Sequence, residues 1–206
     1  EAAAAYFRDN ASVWNEVRSL YVPEADVEAS LLRLFDGRVI GDYLDIGTGT
    51  GRMLELFADQ TERGVGIDVN HKMLSMARSR LEEAGVSHCQ VRHGDMYRLP
   101  FGPDSFDVVT VHQVLHFADD PAAVIREAAR TMRPGAQIAV VDFALHELEE
   151  LRENHAHRRL GFSDDEVVEW LRGASLVSGT ASTLVGDPLT IRIWTANAPV
   201  RTGGGL

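Results

Sequence analysis

The stretch LDIGTGTG, residues 44–51, decides the fold, because a short apolar run there ends in a glycine-rich turn. The segment RMLELFA, residues 52–58, follows it at helical spacing. Glycine lets a backbone turn sharply and approach a ligand without a Cβ in the way. The N–H groups at the start of the following helix then face that ligand. The stretch therefore predicts a strand, a ligand-binding turn and a helix, which is one unit of an α/β fold.

Strands and helices alternate on both sides of this turn. Apolar runs predict strands at residues 39–46, 64–69, 88–93, 106–112 and 136–143. Apolar spacing and helix-start and helix-stop residues predict helices at residues 3–20, 23–37, 70–84 and 120–132. Strands separated by helices of this length form a parallel sheet that is covered on both faces.

The last third of the sequence has a different pattern. Residues 144–161 are polar, rich in histidine and expected to be helical. Ser163 and Glu166 have the spacing of a capping box, which starts another helix. Two strand-like runs, at 176–185 and 189–198, are joined by so short a link that they must pair antiparallel.

Composition excludes several classes of protein. The 206 residues carry 31 acidic and 20 basic side chains, and a net charge of −11 disfavours nucleic acid as a partner of this chain. A single cysteine, Cys89, excludes a disulfide framework and a multi-cysteine metal site, and it favours the cytoplasm. No apolar run approaches the roughly 18 residues of a membrane span. We expect neither a metal site nor a membrane segment.

Acidic residues follow three predicted strands. Asp45 lies in the first strand beside the glycine turn, Asp68 ends the second, and Asp95 follows the third. A carboxylate at Asp68, about 20 residues beyond the turn, can accept both hydroxyls of a ribose. Asp95 could accept from an adenine amino group. Together these residues indicate an adenosine-containing cofactor.

The identity of that cofactor depends on the glycine spacing. The dinucleotide fingerprint G-x-G-x-x-G requires a third glycine at position 52, where this chain has Arg52. This departure disfavours NAD and FAD. Met73 and Met96 could supply apolar faces for a bound ring, although ordinary core packing explains them equally well.

Five segments resemble the class I S-adenosylmethionine (SAM)-dependent methyltransferases. They are LDIGTGTG (44–51), GIDVN (66–70), GDMYRLPF (94–101), FDVVTVHQVLHF (106–117) and RPG (133–135). Within this superfamily the chain looks closest to the ubiquinone/menaquinone C-methyltransferases, and especially to methyltransferase domains fused to ArsR-type winged-helix regulators. The segments RSLYVPEADVE (18–28) and ENHAHRRLGFSDDEV (153–167) prompt the comparison with the fused domains.

The resemblance implies a Rossmann-like, doubly wound, mostly parallel seven-stranded sheet with an antiparallel terminal strand and helices on both faces. It implies a single domain over residues 1–206. Residues 1–37 would form a helical lid, 38–143 the SAM-binding core, and 144–206 the remaining helices and a terminal β-hairpin. Tyr6, Trp14 and Tyr21 could belong to that lid, although core packing is an equal reading for Trp14.

The resemblance also assigns roles to residues. Gly47 and Gly49 would lie along the methionine portion of SAM, Asp45 would orient its ammonium, and Asp68 would hold the ribose. The Asp95 side chain and the Met96 backbone would hold adenine, and His112 and Gln113 would line the floor near the sulfonium. The expected cofactor-binding residues are Asp45, Gly47, Thr48, Gly49, Asp68, Val69, Met73, Asp95, Met96, His112 and Gln113.

Histidines are the candidates for a general base, which is needed where the acceptor must lose a proton. His116 follows the fourth predicted strand and His146 follows the fifth, so we place these two first. A structural or solvent-facing role is the alternative for each. Arg158 and Arg159 could bind an acidic acceptor or form a solvated charge pair.

The sequence therefore predicts a SAM-dependent methyltransferase that acts on a small-molecule acceptor and releases S-adenosylhomocysteine. The alternative is a domain that senses SAM or S-adenosylhomocysteine for an ArsR-type transcriptional regulator. The resemblance to the fused domains implies a DNA-binding domain before Glu1 that is absent from this chain, which would explain why the sequence begins without a methionine. A homodimer is compatible with the sequence.

Overall fold

The computed structural model describes residues 23–155 and 157–200. Its strands are β1 Ile40–Ile46, β2 Thr61–Asp68, β3 Cys89–His93, β4 Phe106–His112, β5 Met132–Phe143, β6 Val177–Leu184 and β7 Ile191–Asn197. Its α-helices are α1 Glu24–Leu34, α2 Arg52–Leu56, α3 His71–Glu83, α4 Pro121–Thr131, α5 Glu150–His155 and α6 Asp164–Gly173. Short 3₁₀ turns cover Ala58–Gln60 and Leu115–Phe117.

The seven strands form one sheet in the order β3-β2-β1-β4-β5-β7-β6. Strands β1 to β5 are parallel, and β7 pairs antiparallel with both β5 and β6. The predicted fold class is confirmed. The strand order reverses at β1, which pairs with β2 on one side and β4 on the other. Ligands of open α/β sheets bind at such a reversal, beyond the carboxyl ends of the strands.

The two faces of the sheet bury separate cores. Successive side chains of a strand point to opposite faces, so Tyr43 and Leu44 of β1 belong to different clusters. Leu44 packs in the cluster that includes Val124 of α4 and Val167 of α6. Tyr43 packs in the cluster that includes Val27 of α1, Leu74 of α3 and Leu54 of α2. Burial on both faces fixes the directions in which the strand ends point.

Two segments differ from the sequence-based expectation. Residues 144–161 are not one helix, because only Glu150–His155 is helical in the described part of this segment. Ala144 instead forms a bridge with Phe162, and a Cβ at Gly161 would collide with the Ala144 carbonyl oxygen. The second difference is β5, which begins at Met132 rather than Ala136, so the predicted break RPG lies inside the strand.

The helix expected at 23–37 is confirmed as α1, which begins directly after Pro23. The helix expected at 3–20, and with it Tyr6, Trp14 and Tyr21, lies outside the described residues.

Replacing Ser163 with alanine tests the predicted capping box. The Ser163 hydroxyl accepts from the Glu166 backbone N–H at 3.3 Å, and the Glu166 carboxylate accepts from the Ser163 N–H at 3.0 Å. We expect Ser163→Ala to lower the free energy of unfolding by about 1 kcal/mol, measured by urea denaturation. Ser178→Ala, at an exposed position in β6, is the control and should change it little. Equal effects of the two changes would contradict the capping role.

Candidate functional site

The carboxyl ends of β1, β2, β3 and β4 surround a cavity of about 280 Å³. All the residues expected to bind a cofactor line it, namely Asp45, Gly47, Thr48, Gly49, Asp68, Val69, Met73, Asp95, Met96, His112 and Gln113. The structure therefore brings together side chains that the sequence places as far as 68 positions apart. Sequence analysis named Arg158, another lining residue, only as a possible partner of an acidic acceptor. It did not identify further lining residues, which include Arg52, Asn70, Tyr97, Phe117 and Asp119.

The turn after β1 is fixed by backbone hydrogen bonds to β2. The N–H groups of Gly47 and Thr48 donate to the Ile67 carbonyl oxygen at 2.8 and 3.0 Å. Gly47 has a φ of +73°, and a Cβ there would lie 2.6 Å from Cγ2 of Val114. Both the left-handed conformation and the close approach require glycine at this position.

Asp68 connects the glycine turn to the end of β2. Its carboxylate accepts from the Gly49 N–H at 2.9 Å and from the Asn70 N–H at 2.8 Å. Burial raises the pKa of Asp68, and these backbone hydrogen bonds act in the opposite direction. Asn70 also caps α3, since its side chain accepts from the Lys72 and Met73 N–H groups. The predicted position of Asp68 at a strand end is confirmed.

Asp95 lies in a tight turn on the other side of the cavity. Its carboxylate accepts from the Tyr97 N–H at 2.9 Å. The Tyr97 hydroxyl in turn accepts from the N–H groups of Asp119 and Asp120, at 2.8 and 3.2 Å. These bonds join the loop after β3 to the loop after β4, so the two walls of the cavity are held together.

Asp45 is held rigidly at the base of the cavity. It is 1% exposed, and its Oδ1 accepts from the Thr110 hydroxyl at 2.7 Å. Thr110 also lies 2.6 Å from the Tyr43 hydroxyl oxygen, and burial raises the pKa of Tyr43. The orientation of the Asp45 carboxylate is thus set by neighbouring strands before any ligand binds.

The floor of the cavity contains a strained residue and buried oxygens that need partners. Gln113, directly after β4, has a φ of 51°, which is uncommon for a residue with a side chain. Its side-chain Oε1 and the Thr48 hydroxyl are buried and have no hydrogen-bond partner among the described residues. Buried polar atoms are almost always satisfied, so these two fit a polar ligand in the cavity.

His116 lies outside this cavity, although sequence analysis expected it to reach the cleft. It is 1% exposed and does not appear among the described residues that line the cavity. Its Nδ1 is 2.7 Å from Oδ1 of Asp142, and its ring centroid is 4.1 Å from those of Phe117 and His157. This buried contact with Asp142 holds the ring away from the cavity, and Phe117 takes the lining position instead.

His146 also lies away from the first cavity and lines a second, more open one of about 770 Å³. The two cavities share Asp119 and Arg158, which are themselves ion-paired. The Nδ1 of His146 accepts from the Leu148 N–H at 3.2 Å.

Two kinds of feature are absent from residues 23–155 and 157–200. No group of acidic, histidine and cysteine side chains there has the arrangement of a metal site. No helix in this part of the chain is long and apolar enough to cross a bilayer. Cys89 is buried at the start of β3, where sequence analysis placed it.

Sequence comparison relates this chain to methyltransferases. Residues 44–140 match a family described as a methyltransferase domain. The uncharacterized methyltransferase YcgJ of Bacillus subtilis is 28% identical over 154 residues, which are 74% of this chain and 60% of that protein. Demethylmenaquinone methyltransferase of Listeria welshimeri is 32% identical over 104 residues, 49% of this chain and 44% of that protein. The chain thus spans about half the length of these relatives.

Solved structures show the same fold. The crystal structure of YcgJ superposes with a TM-score of 0.73 at 20% identity, over 85% of this chain and 99% of that one. Phosphoethanolamine N-methyltransferase 2 of Haemonchus contortus, solved in complex with SAM, gives a TM-score of 0.72 at 15% identity, over 84% of this chain and 52% of that one. The matched residues 44–140 contain most of the strand ends and turns that surround the cavity, and over this stretch the chain is similar to SAM-dependent methyltransferases.

Proposed function

We propose that this protein transfers the methyl group of SAM to a small-molecule acceptor. The observation that carries the proposal is the cavity itself, in which Asp45, Asp68 and Asp95 surround a glycine turn too tight for any side chain at Gly47. The unpartnered oxygens of Thr48 and Gln113 supply further polar contacts for a ligand. An acidic lining suits SAM, which carries a sulfonium and an ammonium.

Each acidic residue has a proposed partner on the cofactor. Asp68 would accept the ribose hydroxyls, Asp95 would accept from the adenine amino group, and Asp45 would orient the ammonium. Bound SAM supplies an electrophilic methyl group on its sulfonium. His112 and Gln113 form the floor and fix the position of that end of the site. Holding the reacting groups in line is worth up to about 7–11 kcal/mol of the barrier.

The two histidines considered as candidate bases lie in different surroundings. Nδ1 of His116 is 2.7 Å from Oδ1 of Asp142, in a buried pair that lines neither of the two cavities. In His146 the Leu148 N–H donates to Nδ1, so the proton lies on Nε2 and the ring is a donor. His116 is buried and out of reach of an acceptor, so we do not retain it as a base, and we propose His146 as a hydrogen-bond donor to the contents of the second cavity.

The acceptor class rests on the names of relatives. Demethylmenaquinone methyltransferase acts on a small molecule, as its name says, and this chain is 32% identical to it over 104 residues. The alternative sensing function is not favoured, because the relatives compared above are named methyltransferases. Fusion to an ArsR-type regulator, a homodimer and a cytoplasmic location stay predictions.

Replacing Asp68 tests the cofactor assignment. Asp68→Ala removes a charged acceptor of ribose hydroxyls, so we expect the affinity for S-adenosylhomocysteine to fall about 10- to 100-fold, measured by calorimetry. Asp59→Ala, in the exposed turn at the opposite end of β2, is the matched control and should bind normally. An affinity that Asp68→Ala leaves unchanged would refute the assignment.

Replacing Gly47 tests the close approach of the turn. Gly47→Ala introduces a Cβ that collides with Val114 at a φ of +73°, so we expect at least a tenfold loss of S-adenosylhomocysteine affinity. Gly85→Ala is the matched control, because Gly85 has a φ of +70° but open space around it. The control should lose about 1–2 kcal/mol of stability and no affinity. Equal affinity losses in the two variants would contradict the proposed contact.

His157 makes stability depend on pH. Burial, and then the neighbouring His116, lower the pKa of His157 to about 2, whereas an unfolded histidine titrates near 6.5. The unfolded state therefore binds this proton first. The contribution of buried, neutral His157 to the free energy of unfolding is fully present above pH 6.5. It is lost as the pH falls, by about 1–2 kcal/mol between pH 6.5 and 5.

We expect His157→Phe to reduce the loss of stability between pH 6.5 and 5, measured by urea denaturation at several pH values. The phenyl ring can keep the stack on Phe143, whose centroid is 5.8 Å from that of His157. His88→Phe, at an exposed histidine, is the control and should retain the acid sensitivity of the unmodified protein. Parallel pH profiles for the unmodified protein and His157→Phe would contradict this account.

A further inference from the structure

We propose that Arg52 binds the carboxylate of the amino-acid portion of SAM, and that Glu28 positions it for this contact. This inference rests on the proposed function. The amino-acid end of SAM is a zwitterion, so its recognition requires a cation as well as an acid. Among the described residues, the cavity is lined by four aspartates and by two arginines, Arg52 and Arg158.

Arg52 lies where the zwitterion is expected. It is the first residue of α2 and directly follows the glycine turn, whose last residue, Gly51, has a φ of 78° and is the N-cap of that helix. Asp45 lies at the other end of the same turn, and both side chains line the cavity. Asp45, before the turn, suits the ammonium of the amino-acid portion of SAM. Arg52, after the turn, suits its carboxylate.

Arg158 lies on the opposite wall of the cavity, where it has its own partner. It is ion-paired with Asp119, and the Asp119 N–H donates to the Tyr97 hydroxyl at 2.8 Å. Tyr97 lies in the turn that also contains Asp95 and Met96, which is the proposed adenine side. This placement leaves Arg52 as the cation for the amino-acid end.

The guanidinium of Arg52 is oriented by two carboxylates and still has donors to offer. Glu28 accepts from Nε at 2.6 Å and from Nη2 at 2.7 Å, and Glu55 accepts from Nη1 at 2.8 Å. A guanidinium has five N–H groups, so these three bonds leave one N–H on Nη1 and one on Nη2 within the described part of the chain. The side chain is 28% exposed, and a carboxylate in the cavity can reach it.

The charge around Arg52 is balanced. Arg80 lies 3.4 Å from the Glu55 carboxylate, so two glutamates face two arginines in this cluster. The formal charges of these four side chains therefore cancel within the cluster. Glu28 is carried by α1, whose Val27 and Leu31 are buried in the core, and this anchor keeps the guanidinium in place. Glu28 is thus a positioning residue.

The test compares two ligands by calorimetry. S-Adenosylhomocysteine carries the amino-acid portion, whereas 5′-deoxy-5′-methylthioadenosine keeps the adenosine and the thioether but lacks that portion. We expect Arg52→Gln to lower the affinity for S-adenosylhomocysteine about 10- to 100-fold and the affinity for methylthioadenosine by less than about twofold. Arg158→Gln, the matched control, should leave the ratio of the two affinities unchanged. Glu28→Gln should lower the ratio of the S-adenosylhomocysteine affinity to the methylthioadenosine affinity by about two- to tenfold.

Retained binding of methylthioadenosine shows that a variant is folded, and this keeps the result interpretable. Equal losses for both ligands in Arg52→Gln would make Arg52 a structural residue and overturn the proposal, and so would unchanged affinities. A ratio that Glu28→Gln leaves unchanged would overturn the positioning role. If the unmodified protein binds neither ligand, or if Asp68→Ala binds both normally, the proposed function fails instead.

Discussion

The attachment of the glycine turn to the end of β2 is the constraint on which the rest of the site depends. Two backbone N–H groups of the turn share the Ile67 carbonyl oxygen, and a third donates to Asp68. The two segments approach so closely that a Cβ at Gly66 would lie 2.5 Å from the Thr48 hydroxyl oxygen. One carboxylate therefore shapes the turn and also lines the cavity. The position of Arg52, at the start of α2, follows from the same turn.

The strand ends could be predicted from the sequence because each strand is a short apolar run with a distinct stop. The fourth strand has the predicted bounds, Phe106–His112, and Asp68 ends β2 as expected. Since parallel strands present their carboxyl ends at one edge, knowing the strands was enough to bring Asp45, Asp68 and Asp95 together. The eleven predicted binding residues line one cavity for this reason.

The residues that were missed reach the cavity through contacts between loops. Tyr97 and Asp119 meet by a hydrogen bond that no local sequence pattern predicts. Arg158 was named only as a possible partner of an acidic acceptor, and its segment was predicted to be helical. Arg52 was noted only as a departure from the dinucleotide fingerprint. The placement of His116 was wrong for a related reason: its buried bond to Asp142, at the end of β5, turns the ring away from the cavity. A one-dimensional pattern does not show such a bond.

The position of β7 in the sheet limits the order in which the strands can be added during synthesis. This strand lies between β5 and β6, so the last described strand in the chain fills an interior position. Every described residue lining the first cavity, apart from Arg158, precedes residue 120. On the ribosome, the cavity-forming segment is therefore complete while the edge of β5 still lacks its neighbour, and an open strand edge attracts other chains.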